Sequence, residues 1–276
     1  MKKNKKAIIT LVICLIVVLL CAVIYLGHRE SASGKANSQP TKTRIIYPQK
    51  FTKVKVDVDV ADVSIQQGKK YQVKISDNQK SRITTNVKNG ELEVTQHGQL
   101  HNHFFNIGNI SINGKRMTAK YRVEITVPRK NSLTKITAQT STSDFELNNL
   151  QLQKLAVDSD TGDIDFNHII ANDCKLSSDT GDIEIHASQL KNVIGDVDTG
   201  DVDISTSRLL GNNSFSLDTG DFTLDDASKK MTYHLSVDTG DIEYFGDDVD
   251  DHLIKNSSSS KATLKVDSST GDITID

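Results

Sequence analysis

The sequence predicts an all-β protein built mainly as a parallel β-solenoid (β-helix), a chain wound into stacked coils of about 19–20 residues each. The first observation is a repeat: Thr-Gly-Asp followed by a β-former occurs six times between residues 160 and 272. Its glycines are Gly162, Gly181, Gly200, Gly220, Gly240 and Gly271, whose positions differ successively by 19, 19, 20, 20 and 31. A near-constant period of this size is typical of repeat proteins whose units are too small to fold alone.

The second observation is that apolar residues alternate on both sides of each Thr-Gly, which is the period of a β-strand. The pairs predicted to face inward after each turn are Ile164 and Phe166, Ile183 and Ile185, Val202 and Ile204, Phe222 and Leu224, Ile242 and Tyr244, and Ile273 and Ile275. The inward phase changes across each Thr-Gly, so the chain must turn there. We predict that the six glycines are structural turn residues, because glycine tolerates a positive φ.

The third observation is that the segments returning from one repeat to the next are too short for a crossover helix with its loops. Successive coils must therefore stack directly, with parallel strands about 4.8 Å apart. The returns often carry one more apolar residue: Ile170, Leu190, Leu209 and Met231. An antiparallel sandwich is the alternative, but it gives no reason for one residue type to recur in each column.

The N-terminal segment predicts a membrane anchor. Residues 1–6 contain four lysines and form the predicted cytoplasmic tail, while residues 7–27 contain no charged residue and are long enough for one transmembrane helix. The lysines place the N-terminus in the cytoplasm and the C-terminal domain outside the cell membrane. A cleaved signal peptide is the alternative. Residues 28–45, rich in Ser, Lys and Thr, predict a flexible stalk.

Two β regions of opposite net charge follow the stalk. Residues 46–135 show β alternation without a strict repeat, and we expect irregular opening coils that cap the solenoid. Residues 136–276 contain the repeats and carry nine Lys or Arg against 28 Asp or Glu, a net charge of −19, so that residues 1–135 carry +16 in a chain of −3. The acidic part argues against nucleic acid as a partner. The basic part predicts contact with anionic lipid or an anionic cell-envelope polymer, with simple solubility as the alternative.

The cysteines and the catalytic motifs point away from disulfides and from enzymatic chemistry. Cys14 and Cys21 lie in the predicted transmembrane helix, and Cys174 occupies an inward column as a small buried hydrophobe. Asp-Thr-Gly, the triplet of aspartic proteases, occurs five times, whereas that chemistry needs two carboxylates that share one proton. The chain has no G-x-S-x-G, P-loop or H-E-x-x-H motif. We therefore predict no catalytic residue and no bound cofactor.

Two columns of aspartates flank the turns and are candidate ligands for Ca²⁺. The candidates are Asp160, Asp163, Asp179, Asp182, Asp198 and Asp201. Like charges about 5 Å apart repel by roughly 1 kcal/mol even in water. Either hydrogen bonds from backbone N–H groups of the turns or Ca²⁺ between coils would compensate, and we expect the hydrogen bonds. His97, His101 and His103 form a second metal candidate, but no fourth ligand stands at a recognisable spacing.

Several segments resemble, in this order, the bacterial putative-adhesin domain. They are Phe51-x-x-Val-Lys-Val, Ala61-Asp-Val-Ser-Ile, Asn89-Gly-Glu-Leu-Glu-Val, Tyr121-Arg-Val-Glu-Ile-Thr-Val-Pro and the Thr-Gly-Asp-Ile repeats. The resemblance covers residues 46–276, and the long interval between Gly240 and Gly271 departs from the regular pattern. It implies a β-helical extracytoplasmic domain, often from Gram-positive bacteria and sometimes encoded near envelope-stress systems, and it brings no catalytic residue.

The sequence thus favours a non-enzymatic, membrane-anchored module for adhesion, cell-envelope interaction or envelope-stress scaffolding, whose partners are envelope polymers, anionic lipid or other surface proteins. Two alternatives remain open at this stage. One is a carbohydrate-active β-helix that acts on an envelope polysaccharide, which would need a cleft with two or three clustered carboxylates. The other is a calcium-binding structural rod.

Overall fold

Alternating inward and outward side chains build strands throughout the residues that the computed structural model describes, which are 41–78, 82–96, 121–128, 133–258 and 261–276. These residues contain no helix and form 27 strands. In chain order the strands are β1 (Lys42–Ile46), β2 (Lys53–Val58), β3 (Ala61–Gly68), β4 (Gln72–Asp77), β5 (Ile83–Lys88), β6 (Glu91–Gln96), β7 (Tyr121–Pro128), β8 (Lys135–Thr140), β9 (Phe145–Asn148), β10 (Gln151–Leu152), β11 (Lys154–Ser159), β12 (Ile164–Asn167), β13 (Ile170–Ala171), β14 (Cys174–Thr180), β15 (Ile183–His186), β16 (Gln189–Lys191), β17 (Val193–Thr199), β18 (Val202–Ser205), β19 (Arg208–Leu210), β20 (Asn212–Thr219), β21 (Phe222–Leu224), β22 (Thr232–Thr239), β23 (Ile242–Tyr244), β24 (Asp247–Val249), β25 (His252–Lys255), β26 (Thr263–Thr270) and β27 (Ile273–Ile275).

The strands form two long sheets and one short sheet. Sheet 1 has 12 strands in the order β1-β4-β7-β3-β9-β12-β15-β18-β21-β27-β23-β24. Sheet 2 has 11 strands in the order β25-β22-β26-β20-β17-β14-β11-β8-β2-β6-β5, and sheet 3 has four in the order β10-β13-β16-β19. Each coil gives one strand to sheet 1 and one to sheet 2, and neighbouring coils pair in parallel. The predicted all-β, largely parallel architecture is confirmed.

The coils at both ends do not stack in chain order. The last coil, β26 and β27, lies between the coil of β20 and β21 and the coil of β22 and β23. At the other end, β2 and β3 lie inside the coil of β6 and β7. The expectation that each coil pairs with its successor is therefore correct only in the middle of the solenoid. The long interval between Gly240 and Gly271 contains the two extra strands, β24 and β25, after which the chain returns inward.

Antiparallel strands close the ends of both long sheets. In sheet 1 these are β1 and β4 at one end and β24 at the other, and in sheet 2 they are β5 and β25. Two of the reversals are two-residue hairpins, Asn89-Gly90 with φ of 52° and 73°, and Phe245-Gly246 with φ of 53° and 80°. Positive φ at both central residues is the signature of a type I′ turn, which suits the twist of the flanking strands.

The predicted stalk extends too far toward the C-terminus. Residues 42–45 belong to β1, which pairs with β4, rather than to a flexible segment. The inward side chain of Arg44 explains the ordering: its guanidinium forms an ion pair with the buried Asp77 at 2.5 Å and also donates to the carbonyl of Ile83. The carbonyl of Ile83 lies in sheet 2, so this arginine links the two long sheets at the end of the core.

The hydrophobic core fills the space enclosed by the sheets, as the inward columns predict. Cys174 is buried as predicted, and burial raises the pKa of its thiol to about 12. Among the apolar residues of the returns, Ile170 is 47% exposed, while Ile169 and Ala171 on either side are buried. The register of sheet 3 aligns Ala171 with Leu190 and Leu209, so Ala171 takes the inward position of this return.

One inward position contains glycine for a packing reason. A Cβ built on Gly195 would lie 2.3 Å from the ring of Phe215, which the register places opposite it in the next coil. The large ring therefore occupies the space that a side chain at residue 195 would take. A small residue and a large one thus fill the pair of positions together, as a close-packed core requires.

Several predictions fall on residues that lie outside those described. These are the cytoplasmic tail at 1–6, the transmembrane helix at 7–27, most of the stalk, and the three histidines His97, His101 and His103. Within the described residues, no helix of the length and hydrophobicity needed to cross a bilayer was found.

Candidate functional site

The Thr-Gly-Asp turns bring the backbones of neighbouring coils into close contact. The six glycines have φ between 132° and 144°. A Cβ on Gly181 would lie 2.3 Å from the carbonyl oxygen of Gly162, and the other five face a carbonyl oxygen of the adjoining coil at 1.9–2.3 Å. Glycine is therefore required for two reasons: the backbone has a positive φ, and there is no room for a Cβ next to the adjoining coil.

The aspartate after each of these glycines belongs to a continuous chain of hydrogen bonds along the solenoid. We call it the aspartate ladder; in spatial order its members are Asp62, Asp144, Asp163, Asp182, Asp201, Asp221, Asp272 and Asp241. Each carboxylate accepts a hydrogen bond from the backbone N–H of the next aspartate, at 2.8–3.3 Å. The compensating bonds expected from the sequence are present, but they run between coils rather than within one turn. Charge-assisted bonds of this kind offset part of the repulsion along the column.

A second column of acids lies beside the ladder on the outward face of sheet 1. The register aligns Glu146, Asp165, Glu184 and Asp203 on four adjacent strands. Burial, followed by the negative charges of Glu184, Asp163, Asp144 and Glu146, raises the pKa of Asp165 to about 6. Burial and Asp201 also raise the pKa of Asp203, although a hydrogen bond with Thr223 opposes the shift. The sequence analysis missed this column, although an acid stands four positions after the Thr in three successive repeats.

The structure separates the candidate metal ligands that the sequence grouped together. Asp163, Asp182 and Asp201 belong to the aspartate ladder. Asp160, Asp179 and Asp198 stand on the other side of each turn and are exposed. No group of three or more His, Cys, Asp or Glu within the described ranges converges in a way that could hold a metal ion. The acids are therefore arranged in columns along the solenoid and do not surround a common point.

A row of lysines lies on the outward face of sheet 2 near the N-terminal coils, beside Glu91 and Glu93 of β6. Lys53, Lys135 and Lys154 align on three adjacent strands, and all three are exposed. We call this the lysine column. Lys55 and Lys175 are exposed on the same face. The first coils of the repeat region thus present lysines on sheet 2 and carboxylates on sheet 1.

An open depression lies near the C-terminal end of sheet 1. It is lined by Gly240, Asp241, Asp248, Val249, Asp250 and Asp251. Four carboxylates face this depression, which makes it the place where the carbohydrate-active alternative can be tested.

Replacing Asp165 by asparagine is expected to stabilise the protein by roughly 1 kcal/mol at pH 7. The pKa shift alone would correspond to about 3 kcal/mol, but the side chain is partly solvated and screening reduces this value. A folded-state pKa above the unfolded one means that the folded state binds the proton more tightly. Stability from this group is therefore full below pH 4 and is lost as the pH rises to about 6.

The measurement is urea unfolding of wild type and Asp165→Asn between pH 3.5 and 7.5. The variant should show a flatter pH profile between 4 and 6. Asp158→Asn is the control, because the residues aligned with Asp158 are the neutral Gln139 and Ser177. If both variants gain the same free energy of unfolding, repulsion between Asp165 and the neighbouring acids is not the cause.

A known protein family shares the pattern that builds these turns and sheets. A family model described as Toastrack DUF4097 matches residues 51–244. The chain belongs to the Toastrack DUF4097 family. The resemblance to putative-adhesin domains noted from the sequence is thereby confirmed. A search of curated proteins found no match.

Solved structures of other bacterial proteins are similar to this Toastrack chain. A putative adhesin from Bacteroides fragilis matches with a TM-score of 0.50 and 14% sequence identity, covering 87% of this chain and 98% of that one. A putative adhesin from Parabacteroides merdae has a TM-score of 0.41 and 11% identity, with 87% and 97% of the two chains covered. At these identities the first comparison supports the fold alone.

Proposed function

We propose that this Toastrack protein is a non-enzymatic module of the outer face of the bacterial cell membrane, anchored by residues 7–27, and that its solenoid binds components of the cell envelope. The uncharged run at 7–27, which follows four lysines, supports the anchor. The fold supports binding rather than chemistry, because its long sheets present extended faces. The resemblance to putative-adhesin domains points the same way.

The lysine column is the observation that supports a specific kind of partner. Its three exposed ammonium groups stand on adjacent parallel strands, where the spacing is about 4.8 Å. Glu91 lies beside Lys53 at one end of the column, while Lys135 has a lysine on both sides. A flexible polymer that carries phosphate or carboxylate groups at short intervals would neutralise all three at once. We therefore propose that sheet 2 binds an anionic polymer of the cell envelope and that the acidic face of sheet 1 points away from it.

Charge reversal in the lysine column tests this proposal, with polyphosphate as the probe. The double variant Lys135→Glu/Lys154→Glu is expected to bind polyphosphate at least tenfold more weakly than wild type in calorimetry, and wild-type binding should weaken as salt rises. The control, Lys191→Glu/Lys255→Glu, changes the net charge equally at exposed lysines of sheet 3 and of the sheet 2 edge. An equal loss in both variants would reduce the effect to net charge and contradict a site.

Two outcomes would favour the alternative functions. Turnover of a purified envelope polysaccharide, lost in Asp248→Asn, would overturn the non-enzymatic proposal. A rise in melting temperature with millimolar Ca²⁺, relative to chelator, would favour the calcium-binding rod. We expect neither outcome. Calcium is not needed to compensate the charges of the aspartate ladder, because its carboxylates already accept hydrogen bonds from backbone N–H groups.

A further inference from the structure

Strand β1, at the N-terminal end of sheet 1, carries the most concentrated exposed apolar surface among the described residues. Ile45 is 50% exposed and Tyr47 is 59% exposed, and both lie on or just beyond β1. The other large exposed hydrophobic residues, Ile170, Ile194 and Ile254, lie on different strands. We name the surface formed by Ile45, Tyr47, Lys69 and Lys70 the Tyr47 patch.

Two lysines stand next to this apolar surface. The ammonium group of Lys70 lies 4.1 Å from the centre of the Tyr47 ring, and Lys69, the residue before it, is also exposed. The nearby acids are engaged elsewhere, since Glu124 accepts from Lys74 at 2.9 Å and Asp77 pairs with Arg44. The Tyr47 patch therefore combines an amphipathic ring, an aliphatic side chain and lysines with no ion pair among the described residues.

This combination matches the chemistry of a membrane interface. Tyrosine is enriched at the level of lipid headgroups because its ring is apolar and its hydroxyl is polar. Lysine buries its aliphatic stem while its ammonium group reaches anionic headgroups. Basic residues close to an anionic leaflet gain further electrostatic attraction. Each component of the Tyr47 patch has a counterpart in such a surface.

The chain that precedes the patch indicates why lipid is the occupant. Only the short segment 28–40 separates Thr41 from the apolar run at 7–27. A segment of this length spans at most about 45 Å when fully extended. If residues 7–27 span the bilayer, β1 is held within that distance of the membrane surface, which gives a high effective concentration of lipid.

We propose that the Tyr47 patch is a docking surface for anionic lipid headgroups, through which the N-terminal end of sheet 1 lies against the membrane that anchors the chain. The proposal rests on the membrane anchorage given above as part of the proposed function. It assigns a role to the outward side chains of the edge strand β1, whose inward side chain Arg44 links the two long sheets.

The absence of tryptophan from the chain allows a direct test. The full chain with Tyr47→Trp is reconstituted into nanodiscs of phosphatidylcholine, with or without half phosphatidylglycerol, and quenching by headgroup-proximal doxyl lipid is measured. We expect a blue-shifted emission and at least threefold stronger quenching in the anionic nanodiscs. Ile194→Trp is the matched control, because Ile194 is 57% exposed on sheet 2. Adding Lys69→Glu and Lys70→Glu to the Tyr47→Trp chain should reduce quenching to the control value.

The outcomes separate this inference from the anchorage on which it rests. Co-elution of the chain with the nanodisc reports anchorage without using fluorescence. Co-elution with equal quenching of the two tryptophans would overturn the lipid-docking surface and leave the anchor in place. A blue shift that grows with protein concentration in the absence of lipid would overturn it in favour of pairing between copies through β1. If the chain does not co-elute with the nanodisc, the proposed anchor is contradicted. Docking of the Tyr47 patch is then tested by the quenching of tryptophan fluorescence in the Tyr47→Trp chain when anionic vesicles are added to the protein.

Discussion

Replacing Gly181 by alanine is expected to reduce the free energy of unfolding by about 3 kcal/mol or more. The residue has φ of 139°, a region that residues with a side chain rarely enter and that costs on the order of 1–3 kcal/mol. The added Cβ would also lie 2.3 Å from the carbonyl oxygen of Gly162. Backbone cannot move aside there without disturbing the stacked coils on both sides, so overpacking adds a further cost of about 1–3 kcal/mol.

Gly90 provides the control for this effect. It also has a positive φ, 73°, but nothing lies within 4 Å of its added Cβ. Gly90→Ala should therefore cost only about 1 kcal/mol, the strain of a left-handed residue. Urea unfolding at neutral pH measures both variants. Equal losses would show that conformation alone, and not the close approach of neighbouring coils, makes glycine necessary in the Thr-Gly-Asp turns.

Removal of residues 261–276 is expected to abolish stable folding of the C-terminal coils. This segment contains β26 and β27, which lie inside the solenoid. Its buried side chains Leu264, Val266, Ile273 and Ile275 are each 0% exposed. At about 1.5–3 kcal/mol for each side chain, their loss amounts to about 6–12 kcal/mol. That is comparable with the whole stability of a typical domain, about 5–15 kcal/mol. The truncation also leaves unpaired strand edges on the coils at either side.

Point substitutions test the same topology without removing strands. Ile273→Ala removes an interior side chain and should cost about 2–5 kcal/mol. Leu253→Ala removes a side chain that is 9% exposed on the edge strand β25, and it should cost less. Thermal unfolding of the truncated chain and of the two variants tests whether the last coil lies between two other coils. A truncated chain that unfolds cooperatively at the wild-type midpoint would place the last coil at the end of the solenoid instead of inside it.

The periodicity of the sequence was sufficient to predict the coils. Alternation before and after each Thr-Gly identified the inward side chains because strand geometry alone places successive residues on opposite faces. Gly181 and its counterparts were recognisable as turns because only glycine accepts their backbone conformation at low cost. The orientation of Ile170 could not be predicted in this way, because β13 consists of Ile170 and Ala171 alone and two residues show no alternation.

The candidate site could be predicted only in part. The ladder aspartates were visible because they recur next to the glycine. The column that contains Asp165 could not be recognised from alternation alone, because outward polar residues alternate with apolar ones in any half-buried strand. The separation of the lysine column on sheet 2 from the acid column on sheet 1 was also hidden, since charge counted along the chain averages over both faces of every coil.

The sequence by itself thus determined the strand type, the coil length, the inward columns and the turn residues, all of which depend on relations within one repeat or between adjacent repeats. Only the tertiary structure decided which coils are neighbours at each end. A hairpin such as Phe245-Gly246 reverses the chain and changes which strand edge remains open, and the next coil pairs with an edge formed far away in sequence. The same distant pairing aligns the aspartates of different coils, so the ladder follows spatial order and not chain order.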